Sequence, residues 1–256
     1  MSKAARAVTD GAARLDIDQA ETPLRSVGLL GGFRVRVSGS PMLLAGSSQR
    51  LVAYLALTEQ MLPRPYVAGV FWPDLGEGQA LAALRTAVWR LQSGGLLLIE
   101  SSNQMLGLRQ DVRVDYREEL LLAKMVLRQP PGSALSGREQ GMFLQDLLPG
   151  WYEDWVVTER EHYRQLRLHA LEALCDHLRG LGRLAEAIDA AYAAVSGDPL
   201  RETAHRMLIG LFLAEGNVSE ARRHYERLRT LLRLELDVEP SFGLNELTEA
   251  AGSGRS

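Results

Sequence analysis

A 34-residue spacing in the second half of the chain is the feature that most restricts its fold. Glycine, alanine and leucine positions all recur at this spacing. They are Gly182 and Gly216, Ala187 and Ala221, and Leu174 and Leu208. A unit of this length cannot bury its apolar face alone, so neighbouring copies must stack. The second half of the chain is therefore predicted to be a stack of helical hairpins.

The period and its residues are typical of tetratricopeptide repeats. The first copy carries the full pattern, at Gly182, Ala187, Ala194 and Pro199. The second copy has Gly216, Ala221 and Tyr225, but Arg233 stands where proline is usual, so we expect it to be the last or nearly the last. Two copies are fewer than a free-standing array needs. Further stacked helices are predicted within 116–129 and 141–179.

The first half has a different order of elements. Strands are predicted around Gly31-Gly32 within Ser26–Val37, either two short strands or one bulged strand, then a turn at 38–41 and a strand at Met42–Ala45. Three helices follow, at Ser47–Glu59, Tyr66–Phe71 and Glu77–Ser93. A hairpin of Leu96–Glu100 and Met105–Leu108 and a last strand at Val112–Val114 complete the half. Strands, three helices and a hairpin are the order of a winged helix with an N-terminal sheet, in which the third helix enters the major groove of DNA.

The third helix has two unlike sides. Leu81, Leu84, Val88 and Leu91 recur at helical spacing and predict a buried stripe. The opposite side carries Gln79, Ala82, Thr86, Arg90 and Ser93, with Arg85 and Trp89 at its flank. No acidic residue follows Glu77 within this helix. Small residues, two arginines and no late acid suit a helix that meets DNA.

Composition excludes several classes of protein. The 256 residues are 46% hydrophobic and 24% charged, which indicates a globular protein of about two domains. The sequence contains no run of 18 apolar residues, so no membrane span is predicted, and the N-terminus lacks the apolar core of a signal peptide. The single cysteine, Cys175, permits no internal disulfide and suits a reducing cytoplasm.

The net charge of −3 conceals a difference between the halves. Residues 26–115 hold eight basic and six acidic side chains, a balance of +2. Residues 116–256 hold 17 basic and 22 acidic side chains, a balance of −5. The sign is the one expected if only the first half meets phosphate, although the excess is small.

Short strings in both halves together resemble one family. The strings RLVAYLAL, FWPD, ALRTAVWRL and VRVD resemble the DNA-binding half of SARP-type transcriptional activators, an OmpR/PhoB-type winged helix. The string LLPGWYEDWVVTEREHYRQLRLHALEAL, the two repeats and LELDVEPS resemble the bacterial transcriptional activation domain that follows it. The resemblance covers about Leu29 to Leu247.

The resemblance implies a fold and a function. The fold expected is mainly α, with an N-terminal winged helix-turn-helix followed by a tetratricopeptide-like helical domain. Domains are expected at 1–25 (flexible arm), 26–115 (winged helix), 116–248 (activation domain) and 249–256 (flexible tail). Such proteins are short, stand-alone activators that bind direct repeats near the −35 region as side-by-side protomers, here a homodimer on double-stranded DNA. They recruit RNA polymerase through its sigma and alpha subunits, usually at antibiotic or other secondary-metabolite gene clusters, so a cytoplasmic, nucleoid-associated protein is expected.

Candidate DNA contacts follow from the predicted third helix and its neighbours. Arg90 and Thr86 are predicted to touch bases or phosphates, and Arg85 a flanking phosphate. Ser93 shares their side of the helix, and Trp89 either covers a sugar-phosphate edge or packs against the protein. Arg50 and Arg64, at the starts of the first two helices, are candidate phosphate clamps. In the hairpin, Asn103 and Arg109 are candidates for the minor groove or for phosphate, with Glu100 opposing them.

Other chemistry has little support. Five histidines and Cys175 lack the clustered spacing of a metal site, and packing or surface roles are favoured for them. No nucleotide fingerprint, nucleophile motif or carboxylate-pair loop occurs, so neither an enzyme nor a bound cofactor is predicted. The alternative function is a repeat-based protein-interaction adaptor whose winged helix no longer binds DNA, which the negative net charge keeps open.

Overall fold

The computed structural model describes residues 24–128 and 143–253. Residues 1–23 of the predicted arm (1–25) and residues 254–256 of the predicted tail (249–256) lie outside the described residues. Arg25, which was predicted to end the arm, already begins the first strand. A four-stranded sheet, three helices and a small hairpin sheet form the first part of the chain, and helical hairpins form the second. The predicted fold class, a winged helix-turn-helix followed by a tetratricopeptide-like domain, is confirmed.

Strands β1 (Arg25–Gly28), β2 (Arg34–Val37), β3 (Ser40–Pro41) and β7 (Arg113–Val114) form the first sheet, in the order β3-β2-β1-β7. β1 runs antiparallel to β2 and parallel to β7. The predicted strand at Met42–Ala45 is wrong. The chain reverses at Ser38 and Gly39, both with positive φ, so the strand begins directly after this two-residue turn.

The three helices are α1 (Gly46–Thr58), α2 (Arg64–Phe71) and α3 (Glu77–Ser93). Helix α2 begins two positions before the predicted start because Pro65 lies in its first turn, where a missing N–H costs no hydrogen bond. The hairpin consists of β5 (Ile99–Ser101) and β6 (Met105–Leu108), and β6 also pairs with β4 (Leu62–Pro63). The wing is therefore joined by hydrogen bonds to the start of α2.

The second part contains α4 (Asp115–Arg128), α5 (Asp154–Gly180), α6 (Leu184–Gly197), α7 (Glu202–Ala214), α8 (Val218–Leu236) and α9 (Leu244–Ser253). Helix α9 extends into the segment predicted to be a flexible tail from residue 249. Helices α5 and α6, and then α7 and α8, pack as successive hairpins. This is the arrangement that the 34-residue spacing predicted.

The two hairpin turns have the same geometry. Gly182 and Gly216 have φ of +74° and +82°, and each ends a helix in the left-handed conformation that favours glycine. The next residue donates its backbone N–H five residues back, from Arg183 to the Leu178 carbonyl at 3.0 Å and from Asn217 to the Phe212 carbonyl at 2.7 Å. The repeated glycine is therefore required by the backbone of the turn.

A matched pair of glycines tests this requirement. Gly216→Ala should destabilise the protein by about 1 kcal/mol, because alanine is strained at positive φ. Gly210→Ala, within α7 and with open space around the added methyl group, should instead stabilise it by about 0.5–1 kcal/mol. Urea unfolding of both variants measures the difference. Equal changes in the free energy of unfolding would contradict the explanation.

The two parts share packing across the predicted boundary at residue 115. The first apolar core includes Tyr116 of α4 and Val156 of α5, with Leu147 and Leu148 of the segment before α5. The Leu148 N–H donates to the Leu29 carbonyl at 2.9 Å, so this segment lies along the turn after β1. The carboxylate of Asp115 accepts the N–H of Leu29 at 2.8 Å. The winged helix is thus completed by residues of the helical part.

Candidate nucleic-acid interface

Helix α3 has one buried and one exposed side. Ala80, Leu84, Ala87, Val88 and Leu91 are buried against the rest of the winged helix. The exposed side presents Gln79, Ala82, Arg85, Thr86, Trp89, Arg90 and Ser93. We call this set the α3 face; it contains every residue of this helix that was predicted to face DNA. Small and polar side chains with two cations make a surface that a major groove can accommodate.

The two arginines of the α3 face are free to bind a partner. Among the described residues, neither Arg85 nor Arg90 takes part in a salt bridge or a side-chain hydrogen bond. The hydroxyl of Thr86 donates to the Ala82 carbonyl at 3.0 Å, and that of Ser93 donates to the Arg90 carbonyl at 3.3 Å. These hydroxyls therefore offer outward lone pairs, whereas the arginines offer donors.

Trp89 does not belong to the core. Its side chain is 65% exposed on α3, so the alternative that it packs inside the protein is wrong. Trp72, in contrast, packs against the first core beside Phe71, with ring centroids 5.9 Å apart. An exposed indole next to free arginines is suited to lie over a sugar or a base edge.

Two predicted phosphate clamps make contacts within the protein. Arg50 Nε lies 2.8 Å from Glu153 Oε1, and its guanidinium lies over the Phe71 ring. Arg64 Nη2 donates to Ser101 Oγ at 2.6 Å, and its buried Nε has no acceptor in the described part of the chain. Arg50 thus joins α1 to the segment before α5, and Arg64 joins α2 to the wing. Their contact with DNA stays a prediction.

The wing presents little free positive charge. Arg109 donates to Asp111 Oδ1 at 2.8 Å and to Oδ2 at 3.3 Å, and this carboxylate raises the pKa of the Arg109 guanidinium. Arg25 also donates to Asp111, at 3.1 Å. Asn103 is exposed at the tip of the hairpin and is uncharged. Arg109 is therefore engaged by an acid, and the roles of both wing candidates in binding DNA also stay predictions.

A second basic surface, on the first sheet, was not among the predicted DNA contacts. Arg36, Ser26 and Arg113 lie side by side on the outer face of the first sheet, across β2, β1 and β7. Alternation along β2 indicates this outward position, because Val35 is buried and its neighbours Arg34 and Arg36 are exposed. The acids nearby, Asp115 and Glu118, offset part of this charge.

Within the described ranges, no three His, Cys, Asp or Glu side chains gather into a possible metal site. Two of the histidines instead form a buried pair. The His205 Nε2–H donates to the Pro199 carbonyl at 2.9 Å, so its Nδ1 accepts the Nε2–H of His224 at 2.8 Å. In the same ranges, no helix is long and apolar enough to cross a membrane.

The histidine pair makes stability depend on pH. Burial, and then the neighbouring His205 and Arg227, lower the pKa of His224 from 6.5 to about 4. Between pH 6.5 and pH 4, His224 is therefore protonated in the unfolded chain but neutral in the folded one. The free energy of unfolding should fall by about 3 kcal/mol as pH is lowered from above 6.5 toward 4.

Urea unfolding between pH 7 and pH 4 should show this loss. His224→Gln should flatten the pH dependence, because its amide can donate the same hydrogen bond without titrating. His162→Gln serves as the control, since His162 is exposed. If the protein and His224→Gln lose stability in parallel over this range, the pair is not responsible.

Comparison with known proteins agrees with this architecture. Residues 137–251 match the family model of the bacterial transcriptional activator domain. The chain is 29% identical over 246 residues to the regulatory protein AfsR of Streptomyces coelicolor, covering 91% of this chain and 24% of that protein. It is 28% identical to AfsR of Streptomyces griseus, over 82% of this chain and 23% of that protein. The chain thus spans about a quarter of the length of the curated relatives it matches.

A solved structure shows the same fold. The EmbR protein of Mycobacterium tuberculosis, solved in complex with a low-affinity phosphopeptide, superposes with a TM-score of 0.67 at 18% identity. The match covers 90% of this chain and 65% of EmbR. The arrangement of a winged helix before stacked helical hairpins is therefore shared with a known structure.

Proposed function

We propose that this chain is a transcriptional regulator of the SARP type that binds promoter DNA in a sequence-specific way. Its match to the bacterial transcriptional activator domain over residues 137–251 and its similarity to AfsR support this proposal. The observation that carries the proposal is the α3 face, with two arginines that no described side chain engages and an exposed indole. Arginine to guanine and threonine to a thymine methyl group are pairings that a major groove can discriminate. No catalytic role is proposed.

We further propose that the protein acts as a homodimer on direct repeats near the −35 element. Two free arginines give one protomer a modest hold on DNA, so two protomers side by side gain affinity that one lacks. The helical part, with a formal charge of −5 over residues 116–256, would contact the sigma and alpha subunits of RNA polymerase. We propose that the regulated genes form a secondary-metabolite cluster. The protein is proposed to be cytoplasmic and associated with the nucleoid.

A footprint combined with fluorescence anisotropy tests the DNA-binding proposal. The full chain is titrated onto labelled promoter fragments from its own gene neighbourhood and onto a shuffled fragment of equal length. We expect protection of two adjacent half-sites and at least roughly tenfold tighter binding to the promoter than to the shuffled fragment. Affinity should fall as salt rises, because bound phosphates release counterions. Equal affinity for both fragments, or none at low salt, would refute sequence-specific binding.

The adaptor alternative rests on the contacts of Arg50, Arg64 and Arg109. Each of these arginines binds an acid or a hydroxyl within the protein, which leaves fewer cations for phosphate. An adaptor of this kind would retain its protein partners but bind promoter and shuffled DNA equally weakly. Pull-down of purified RNA polymerase without DNA, set beside the anisotropy result, separates the two functions.

A further inference from the structure

A cavity of about 350 Å³ lies between α5, α6 and the segment before α5. Its walls include the apolar side chain of Leu144 and the ring of Tyr192, both partly exposed. Arg167 of α5 also lines it, and Asp146 and Asp189 carry its acidic groups. The cavity lies outside α3 and the wing, so DNA binding does not account for it.

Arg167 is the unusual residue of this cavity. Its side chain is only 4% exposed, and its Nε and Nη1 atoms have no hydrogen-bond acceptor among the described residues. Asp146 Oδ1 lies 2.9 Å from Nη1, which compensates the charge, but the pair lacks the direction of a hydrogen bond. Unsatisfied buried donors are costly, and a buried guanidinium normally has partners for its fork of N–H groups.

The surroundings of Arg167 leave space for its guanidinium. A Cβ atom at Gly197 would lie 3.1 Å from Arg167 Nη2, so glycine at this position allows the side chain to reach the cavity wall. The guanidinium carbon lies 5.8 Å from the centroid of the Tyr163 ring, which supports one side of it. The arginine is therefore held between α5 and α6, and no described residue accepts a hydrogen bond from its Nε or Nη1 atom.

We propose that this cavity binds a small organic monocarboxylate with an apolar or aromatic body. A carboxylate can accept two parallel N–H bonds from a guanidinium, and this satisfies donors that Asp146 leaves unmet. The apolar body would lie against Leu144 and Tyr192, as is usual for small-molecule sites. Asp189 disfavours a second negative group on the ligand.

Asp146 is the competitor that such a ligand must displace. Its side chain is 61% exposed, so its carboxylate can turn to solvent when a ligand carboxylate arrives. Its backbone carbonyl accepts the N–H of Gly31 at 2.8 Å, which keeps the segment in place while the side chain moves. Removing this competing charge should therefore strengthen binding without removing the site.

The test uses three probes on the full chain: phenylacetate, hexanoate and, as a neutral match, phenylacetamide. Saturation-transfer NMR and thermal shift should detect both carboxylates with Kd in the millimolar range expected of fragments of this size. Phenylacetamide should bind at least roughly tenfold more weakly. Failure of both carboxylates, or equal binding of the amide, would overturn the proposal.

Two matched variants assign the site. Asp146→Asn should tighten phenylacetate binding by about tenfold, because the competing carboxylate is gone. Asp189→Asn removes the same charge from the same cavity without touching the guanidinium, so it should change binding by about twofold at most. Equal effects of the two variants, or no effect of either, would show that Arg167 is not the binding group. Both positions are exposed, and circular dichroism checks that both variants fold.

Discussion

The double replacement Arg85→Ala, Arg90→Ala should lower affinity for promoter DNA by about two orders of magnitude. Each arginine is exposed on α3 without a partner among the described residues, so each can give its donors to a base or a phosphate. A base-reading arginine contributes about 1–3 kcal/mol, and removing one phosphate-binding arginine lowers the salt slope by about 1. Anisotropy at several salt concentrations measures both quantities.

A second double variant serves as the control. Arg222→Ala, Arg227→Ala removes the same charge from exposed positions on α8, far along the chain from α3. If general attraction to phosphate explained binding, both variants would lose affinity equally. We expect the α8 variant to bind promoter DNA within about twofold of the unaltered chain. A matching loss in the two variants, or no loss in the α3 variant, would remove α3 from the interface.

The single replacement Trp155→Ala should destabilise the protein by about 3 kcal/mol or more. Trp155, at the start of α5, packs edge-on against Tyr54 of α1 and Trp151, with ring centroids 5.2 and 6.3 Å away, and it also contacts Phe71 of α2. Truncating a packed tryptophan leaves a cavity and removes these ring contacts. Urea unfolding measures the change in the free energy of unfolding.

Trp89→Ala is the natural control for this replacement. Trp89 is exposed on α3 and belongs to neither apolar core, so its removal should change stability by less than about 0.5 kcal/mol. The two tryptophan variants thus separate packing from DNA contact. Trp155→Ala should unfold earlier in urea, and Trp89→Ala should retain stability while weakening DNA binding. Similar losses of stability in both variants would contradict the explanation that Trp155 stabilises the protein by packing against α1 and α2.

The packing of residues after position 115 into the first core affects experiments that truncate the chain. The first core takes up Tyr116, Leu147, Leu148 and Val156, all after the predicted boundary at residue 115. A fragment ending at Asp115 would lose these side chains and the backbone hydrogen bonds to Leu29 and Gly31. Loss of activity in such a fragment would therefore report unfolding as readily as loss of a partner. Surface variants of the full chain are the sounder test of recruitment.

Local patterns predicted the parts of the structure that depend on neighbours in the sequence. The apolar stripe of α3 predicted its buried side, because residues three and four apart share one face of a helix. The 34-residue recurrence predicted the turns at Gly182 and Gly216, because each turn needs a residue that tolerates positive φ. The errors were local too: Met42–Ala45 was predicted as a strand because the preceding turn is shorter than its Ser-Gly-Ser-Pro composition indicated.

The order of the elements, the repeat and the solvent-facing side of α3 follow from the sequence alone, since each is set by contacts within one helix or one turn. Which arginines remain available depends instead on how the elements pack together. Arg64 and Arg50 are held by Ser101 and Glu153, far away in the chain, while Arg85 and Arg90 are not engaged by any described residue. The tertiary structure also places Arg167 beside Asp146 at a cavity wall. Such pairs depend on how separate elements pack, and no spacing within a single helix records that packing.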